Sequence, residues 1–249
     1  TAGTGGFGFR NDSFASFSGY IQWVVAIFMI IFGVNFNVYF LLFMKKFKQA
    51  LRCEEMRWYL GIVVAASVLI CANTYDIALT LEHNVRNSVF QVATIITTTG
   101  FATVNFDLWP ASSRTLVVLL MFIGACAGST GGGLKVGRVL LLLKGTRRNI
   151  RRLLNPRKVE LIRNNGSVVD EQILENTNAY LSAYVMIVFA VFAAISLDGF
   201  STGTNFSAVL ACFNNIGPGL EAVGPTCNFS AYSDLSKMIL SWSMLAGRL

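Results

Sequence analysis

The sequence predicts an all-α membrane protein built from repeated units, in which short re-entrant segments alternate with full membrane spans. Three observations predict this class. Hydrophobic residues make up 54% of the chain and charged residues only 13%, whereas about a quarter of the residues in a soluble protein are charged. Several apolar runs approach the roughly 20 residues that a helix needs to cross the hydrocarbon core. Short polar tracts that end in glycine recur between these runs.

The candidate membrane spans can be taken in chain order. The apolar runs that reach or approach a spanning length are residues 18–43, 59–75, 179–197 and 235–249. Trp58 and Tyr59 stand at the start of the second run, where aromatic side chains anchor helices at the membrane interface. The chain starts without methionine, shows no signal peptide and stops within an apolar run, so we expect a piece of a longer protein.

A further span is predicted to be broken in its middle. Residues 115–127 and 134–143 are apolar, but each run is too short to cross the membrane alone. The segment between them is Gly128-Ser129-Thr130-Gly131-Gly132-Gly133. Because each glycine weakens a helix by about 1 kcal/mol relative to alanine, this segment should open the helix into a flexible loop.

Two shorter apolar runs, residues 84–96 and 205–213, are too short to span and are predicted to be half-helices. Each begins with asparagine, which is a good N-cap. They lead into the polar tracts Thr97-Thr98-Thr99-Gly100 and Asn214-Asn215-Ile216-Gly217.

The order of span, half-helix, glycine tract and span indicates an internal repeat. It occurs over residues 59–143 and again over residues 179–249, and the two tracts lie 117 residues apart. The chain opens on Thr1-Ala2-Gly3-Thr4-Gly5-Gly6-Phe7 and continues into the run 18–43. This opening is predicted to be the tail of an earlier copy.

Basic residues cluster in two blocks that each follow an apolar span. Five of the 20 lysines and arginines lie in residues 45–58 and eight in residues 144–163. This is the positive-inside pattern of cytoplasmic loops, so the net charge of +7 does not indicate nucleic-acid binding. Asn165-Gly166 between short β-branched runs predicts a small cytoplasmic hairpin over residues 159–169, with a disordered loop as the alternative.

The sequence does not predict an enzyme. The five cysteines are scattered without a C-x-x-C spacing, and the one histidine, His83, falls in a presumed outer loop. No acidic residue lies inside the predicted spans, where proton relays are usually found. The residues therefore indicate neither a metal centre nor a pair of nucleophile and base.

The recurring tracts have the residues that a cation site needs. Irregular backbone survives at membrane depth only where it is buried in protein or lines a cavity. Backbone carbonyls can replace the water shell of a potassium ion without adding net charge. Glycine allows the positive φ angles that turn carbonyls inward, and the carboxyl end of a half-helix favours a cation. The sequence thus predicts part of an ion pore, with re-entrant loops that merely close helices as the alternative.

These motifs resemble those of the Trk/Ktr/HKT superfamily of potassium transporters, and most closely its bacterial Trk branch. The resemblance covers the whole chain, with the motifs in family order. It rests on Thr97-Thr98-Thr99-Gly100-Phe101, residues 128–135, residues 214–219 and Gly247-Arg248-Leu249.

The resemblance implies M1–pore-helix–M2 units around a pseudo-fourfold ion pore, with re-entrant filter loops and one broken helix. Residues 1–58 would hold the filter and M2 of unit two. Residues 59–163 would be unit three with the broken M2 and a basic cytoplasmic loop. Residues 164–249 would hold the cytoplasmic hairpin and unit four.

By this resemblance three segments would form a potassium-selective filter. One consists of Thr97, Thr98, Thr99 and Gly100, and another of Asn214, Asn215, Ile216 and Gly217. Potassium ligands are expected at Thr97, Thr98, Asn214 and Asn215. Two alignments are open at the chain start: Thr1-Ala2-Gly3 matches threonine-threonine-glycine, whereas Gly6-Phe7 matches Gly100-Phe101. The first alignment is preferred.

The resemblance also implies a gate below the filter. The gate loop would consist of Gly124, Gly128, Ser129, Thr130, Gly131, Gly132, Gly133 and Lys135. Arg248 would face the pore just under the filter and raise a barrier to cations, because charges near membrane depth are costly and usually functional. Snorkelling of Arg248 at a helix end is the alternative.

The predicted function is potassium uptake through a pore that is gated by this loop and by a cytoplasmic nucleotide-binding regulatory subunit (TrkA-like). The resemblance further implies a homodimer in the bacterial inner membrane, with residues 45–58 and 144–163 in the cytoplasm. Potassium would be the transported ion, and no covalent cofactor is expected. A sodium- or proton-coupled cation carrier is the alternative, which the lack of acids within the spans disfavours.

Overall fold

The computed structural model describes residues 1–6, 12–76, 79–155 and 161–248. Within these ranges the chain is mostly helical. The helices are α1 (Gly19–Phe32), α2 (Phe36–Phe43), α3 (Phe47–Leu51), α4 (Glu54–Asn73), α5 (Leu81–Ile96), α6 (Ala111–Phe122), α7 (Val136–Leu154), α8 (Glu171–Ile195), α9 (Thr202–Phe213) and α10 (Asp234–Ala246). Two-residue strands form two small ladders, with β1 (Ile123–Gly124) parallel to β2 (Leu134–Lys135) and β3 (Arg163–Asn164) antiparallel to β4 (Ser167–Val168).

Among the described residues, two helices are long and apolar enough to cross a membrane by themselves. They are α4 and the helix that runs from α8 through a short 3-10 turn, Glu171–Asp198. The predicted spans 59–75 and 179–197 are therefore confirmed. Both helices begin earlier than the apolar runs, because polar first turns at Glu54 and Glu171 precede them.

The predicted span 18–43 is not one straight helix. The axes of α1 and α2 are bent by 90° at residues 33–35. Asn35 starts α2 by accepting a hydrogen bond from the Asn37 N–H at 2.8 Å. The Gly33 carbonyl accepts from the Cys126 N–H at 3.0 Å, and the Phe36 N–H donates to the Gly128 carbonyl at 3.2 Å. The helix is broken because its open backbone groups bond to the loop between α6 and α7.

Both predicted half-helices are present, but each starts one turn before the expected asparagine. The N-cap of α5 is Thr80 and that of α9 is Ser201, so the predicted caps at Asn84 and Asn205 are wrong. The two asparagines are buried instead and hold neighbouring segments. The Asn84 side chain donates to the Asp76 carbonyl at 2.9 Å, and Asn205 Oδ1 accepts from a tyrosine hydroxyl at 2.8 Å.

The broken helix is confirmed. α6 ends at Phe122 and α7 begins at Val136. Between them β1 and β2 pair in parallel register, Ile123 with Leu134 and Gly124 with Lys135. This ladder closes the base of the segment that we call the glycine loop, residues 124–135.

The predicted hairpin is confirmed for the part of the chain that the structure describes. Asn165 (φ 50°) and Gly166 (φ 86°) connect β3 to β4. Positive φ angles at both turn positions are typical of the type I′ hairpin, which asparagine-glycine favours. Residues 156–160, including the start of the predicted hairpin, lie outside the described residues.

The half-helices form the centre of the structure and the long helices form its surface. Every residue from Ser207 to Phe213 in α9 is buried, as is every residue from Phe90 to Ile96 in α5. Large apolar side chains on the long helices are exposed, among them Val64 and Val68 on α4 and Met186 and Phe189 on α8. An apolar exterior around a core that contains polar groups suits a chain surrounded by lipid.

Candidate functional site

The segment after α5, which we call the middle tract (residues 97–100), has a defined helix-ending geometry. The Thr98 N–H donates to the Ile95 carbonyl at 3.0 Å, and the Thr99 N–H donates to the Thr94 carbonyl at 2.9 Å. Thr98 has a φ of 55° and Gly100 a φ of 84°. This pair of hydrogen bonds is a Schellman motif, which ends a helix with one residue in the left-handed conformation.

The segment after α9, the late tract (residues 214–217), repeats this geometry. The Asn215 N–H donates to the Cys212 carbonyl at 3.0 Å, and the Ile216 N–H donates to the Ala211 carbonyl at 2.8 Å. Asn215 has a φ of 56° and Gly217 a φ of 108°. The two tracts therefore have the same backbone fold, although only the final glycine is identical in their sequences.

The start tract, residues 1–6, shows the same signs. The Thr4 N–H donates to the Thr1 carbonyl at 3.2 Å, and positive φ angles occur at Thr4 (46°) and Gly6 (66°). The spacing aligns Thr4 with Thr98 and Gly6 with Gly100.

Of the two alignments left open by the sequence, the backbone therefore follows the one that pairs Gly6 with Gly100. The preferred alignment of Thr1-Ala2-Gly3 with the middle tract is wrong, because it places none of the positive φ angles in register. Thr1 and Ala2 correspond to the last residues of a half-helix, and Gly3 corresponds to Thr97. Phe7 lies outside the described residues.

The main chain of the start tract contacts that of the middle tract, and the main chain of the middle tract contacts that of the late tract. A β-carbon added at Gly6 would lie 2.4 Å from the Thr99 carbonyl oxygen. One added at Gly100 would lie 2.3 Å from the Ile216 carbonyl oxygen. Glycine is thus required at both positions for close approach as well as for positive φ. The start, middle and late tracts follow one another in space in the order that they have along the chain.

The carbonyl oxygens of the middle and late tracts are available to a ligand. Among the hydrogen bonds of the described residues, none ends on a carbonyl of residues 97–100 or 214–217. Each tract also follows the carboxyl end of a half-helix, where the helix dipole is negative. The arrangement concentrates partial negative charge without any ionised side chain.

The side chains of the tracts are mostly bound to the scaffold behind them. Thr97 Oγ1 donates to the Ala93 carbonyl at 2.6 Å and lies 2.8 Å from Thr99 Oγ1. The Asn214 amide donates to the Tyr184 hydroxyl at 2.9 Å. These contacts hold the tract backbones in place and leave the main-chain oxygens as the groups that can face an ion.

An open pocket of about 540 Å³ lies where the tracts come together. It is lined by Gly3, Thr4, Thr98, Asn215, Ser241, Met244, Leu245 and Arg248. The pocket thus brings residues of all three tracts to one place with the arginine that the sequence singled out.

The glycine loop lies directly against the tracts. The Gly132 N–H donates to Thr98 Oγ1 at 2.6 Å. A β-carbon at Gly131 would be 3.2 Å from the Thr97 carbonyl oxygen, and one at Gly132 would be 2.5 Å from the Asn214 carbonyl oxygen. The glycines allow the loop to approach the same carbonyls that the tracts present.

Thr130 in the glycine loop connects to both ends of the chain. Its carbonyl accepts hydrogen bonds from Thr4 Oγ1 at 3.0 Å and from Arg248 Nη1 at 3.2 Å. Lys135 Nζ donates to the Gly131 carbonyl within the loop. Arg248 therefore bonds to the loop, and snorkelling to a helix end does not describe its contact.

The sequence reasoning missed Glu55. Its side chain is buried and accepts hydrogen bonds from the main-chain N–H of Ala127, within the glycine loop, and of Gly137, in the first turn of α7. The signal was present: the buried stripe of α4, which includes Tyr59, Val63, Ala66 and Ile70, extends back to Glu55 at helical spacing. The residue was counted with a basic cytoplasmic block.

A pair of acidic residues joins the segments that follow the middle and late tracts. Asp107 Oδ1 accepts from the Glu221 N–H at 2.9 Å. Desolvation raises the pKa of Asp107 above its ordinary value. Hydrogen bonds from Ser201 and Thr204 to the Glu221 carboxylate lower the pKa of Glu221. In the described ranges no group of three or more histidine, cysteine or acidic side chains could hold a metal ion.

Comparison with known proteins agrees with this architecture. The family model described as "TrkH: Cation transport protein" matches residues 1–249. The Trk system potassium uptake protein TrkH of Salmonella typhimurium is 38% identical over 256 residues, and that of Escherichia coli K12 is 37% identical. Each alignment covers 100% of this chain and 52% of the relative, so the chain spans about half the length of these relatives.

A solved structure shows the same fold. The crystal structure of the potassium transporter TrkH from Vibrio parahaemolyticus matches with a TM-score of 0.90 and 31% sequence identity. The match covers 99% of this chain and 54% of that chain. The all-α membrane fold with a broken helix is confirmed, and the expectation of a transport protein instead of an enzyme agrees with the family description. The chain belongs to the TrkH family of cation transport proteins.

Proposed function

We propose that the protein carrying this chain takes up potassium across the bacterial inner membrane through a selective pore. The observation that supports this most directly is that the main chains of the three tracts meet at one place, with positive φ angles in the same register and a shared helix-ending geometry in the middle and late tracts. The relatives named above are Trk system potassium uptake proteins. Potassium is the proposed cargo and enters as substrate.

The main-chain carbonyls of the tracts would bind the ion. An ion that enters a narrow path must lose water, and carbonyl oxygens can replace that water if they are held in place. The contributing segments would be residues 3–6, 97–100 and 214–217. The Schellman hydrogen bonds and the buried contacts of Thr97 and Asn214 fix these oxygens, so the site needs little rearrangement on binding.

The glycine loop would gate this path. It lies against the carbonyls of Thr97 and Asn214, and an ion leaving the tracts would meet it. The loop is held by hydrogen bonds and short contacts, and its glycines have no side chains to pack. Movement of the loop would therefore require a few hydrogen bonds to break without disrupting a packed core.

Arg248 would act as an electrostatic barrier that is tied to the gate. Its guanidinium donates to the Thr130 carbonyl and lines the same pocket as Thr98 and Asn215. A fixed positive charge close to the path repels a cation more strongly at low dielectric than in water. Displacement of the loop would free this guanidinium, so gate and barrier would change together.

A cytoplasmic nucleotide-binding subunit of the TrkA type is the proposed regulator, and a homodimer the proposed assembly. The basic carboxyl end of α7 and the β3–β4 hairpin are the surfaces proposed to meet this regulator. Arg148 in this region pairs with Glu171 at 2.6 Å. The positive-inside rule supports a cytoplasmic location for these segments. The division into pore units at residues 58 and 163 remains a prediction.

A cation-coupled carrier is the second candidate, and Glu55 is the observation that favours it. The sequence argument against a carrier relied on the lack of acids within the spans, yet Glu55 is buried in the first turn of a spanning helix. Uptake into proteoliposomes should persist without proton or sodium gradients if the protein is a pore. Loss of uptake when those gradients are removed would favour the carrier.

The central test is Gly100→Asp in the protein that carries this chain. We expect loss of selective potassium uptake in a potassium-uptake-deficient strain, measured as rubidium uptake. The new side chain would collide with the Ile216 carbonyl and place a charge among the tract oxygens. Unchanged rubidium uptake, with normal amounts of protein in the membrane, would refute the filter assignment.

A further inference from the structure

Glu55 connects the glycine loop to the helix that follows it. Its side chain is buried, with 7% of the residue exposed. A single carboxylate oxygen, Oε1, accepts from the Ala127 N–H at 2.6 Å and from the Gly137 N–H at 2.9 Å. Ala127 lies inside the loop and Gly137 in the first turn of α7. One atom thus holds both sides of the segment proposed to be the gate.

The surroundings of Glu55 are built for this contact. A β-carbon at Gly137 would lie 2.7 Å from Glu55 Oε1, so glycine there makes room for the carboxylate. Lys135, the N-cap residue of α7, makes no side-chain capping bond. Glu55 supplies the missing acceptor from α4, and its negative charge lies at the positive end of the α7 dipole.

The neighbouring residue, Glu54, ties the same helical turn to the cytoplasmic hairpin. Asn165 Oδ1, at the hairpin turn, accepts from the Glu54 N–H at 2.8 Å. Lys144 Nζ donates to the Glu54 carboxylate and to the Arg163 carbonyl, the latter at 2.8 Å. Cys53, the N-cap residue of α4, makes no side-chain capping bond. The hairpin therefore caps α4 in the way that Glu55 caps α7.

We propose that Glu55 is a positioning residue that holds the glycine loop closed, and that the cytoplasmic hairpin sets the position of Glu55 through Glu54. This inference rests on the proposed gating function of the loop. A partner that binds the hairpin and pulls Asn165 from α4 would loosen the first turn of that helix. Glu55 would then move, and both N–H groups that it holds would be released at once.

The experiment is rubidium flux into liposomes that contain the purified protein without its regulatory subunit. Glu55→Ala should raise flux per folded protein about tenfold, equivalent to about 1.4 kcal/mol in the gating equilibrium. Asn165→Ala should raise flux less, and the flux of the double variant should not exceed that of Glu55→Ala, because both changes act on one connection.

Gly137→Ala is a second test that keeps the glutamate. Its added methyl group displaces the carboxylate sterically and should also raise flux, so it can replace Glu55→Ala if that variant folds poorly. Glu175→Ala, an exposed glutamate of α8, is the matched control and should leave flux unchanged.

A purely structural role would give a different result. If Glu55→Ala and Gly137→Ala lower the melting temperature without raising flux per folded protein, the proposal is wrong. It is also wrong if the effects of Glu55→Ala and Asn165→Ala simply add. Deletion of residues 129–133 is the benchmark: if it raises flux while Glu55→Ala does not, the coupling fails and the gate stands. If neither raises flux, the gate assignment fails and the proposal with it.

Discussion

Gly132 and Thr98 are joined by a 2.6 Å hydrogen bond, in which the loop N–H donates to the threonine hydroxyl oxygen. This contact links the glycine loop to a residue of the middle tract, which we propose as part of the ion filter. In the proposed function, the hydroxyl of Thr98 would hold the gate while its main chain would belong to the filter.

Thr98→Val removes this acceptor while keeping the branched shape of the side chain. A net hydrogen bond contributes about 1 kcal/mol, which corresponds to roughly a fivefold change in an equilibrium. We expect a rise of this size in rubidium flux without the regulatory subunit, and an unchanged ratio of potassium to sodium flux. Thr98→Ser keeps the hydroxyl and should behave like the unmodified protein. An altered ion ratio with no rise in flux would contradict a role in gating.

Gly100→Ala tests the close approach between the middle and late tracts. The added methyl group would meet the Ile216 carbonyl at 2.3 Å on a residue with a φ of 84°, so the backbone must shift. We expect the potassium-to-sodium flux ratio to fall while the protein still assembles. Gly145→Ala is the matched control, since nothing lies within 4 Å of its added β-carbon. Equal selectivity in the two variants would show that the approach is not needed.

Deletion of residues 129–133 should raise flux or make it independent of the regulatory subunit. The deletion removes the Gly132 contact to Thr98 and the Thr130 carbonyl that holds Arg248. Flux should be normalised to protein that elutes as a single species in size-exclusion chromatography. Reduced flux from normally assembled protein would indicate that the loop supports the pore instead of closing it.

The lowered pKa of Glu221 predicts that the stability of the fold depends on pH. Because Ser201 and Thr204 lower its pKa in the folded state, ionised Glu221 stabilises the fold above the ordinary carboxyl pKa of about 4.3. This contribution is lost as the pH falls through the lowered folded-state pKa. The melting temperature in detergent should therefore be higher than that of Glu221→Gln at neutral pH, and the difference should shrink in acid. A difference that grows on acidification would contradict this sign.

Elements with a strong local signal were predictable from the sequence. The half-helices, the glycine break between α6 and α7 and the Asn165-Gly166 turn all follow from composition over a few residues. The bend at residues 33–35 was not predictable from the sequence, because it depends on hydrogen bonds to the glycine loop about 90 residues away. The N-caps differ from the prediction for a local reason. The side chains of Thr80 and Ser201 cap α5 and α9 one turn earlier, so the predicted asparagines lie inside the helices.

The candidate site was predictable in its residues but not in its connections. Thr98 and Asn215 could be chosen by repetition, and the sequence also indicated Arg248. The alignment of the start tract needed the φ angles, because glycines at positions 3, 5 and 6 fit several registers. The burial of Glu55 could be predicted from the helical spacing of α4, but its hydrogen bonds to Ala127 and Gly137 needed the tertiary fold, because these partners are distant in sequence.

The middle and late tracts share one helix-ending geometry, and the start tract repeats its positive φ angles, but the three tracts are encoded separately along a single polypeptide. In an assembly of identical subunits, any change in the gene would be copied into every equivalent tract. Here Gly6, Gly100 and Gly217 can be altered one at a time, two at a time or all together. The number of altered tracts can thus be counted against the loss of ion discrimination in the proposed filter.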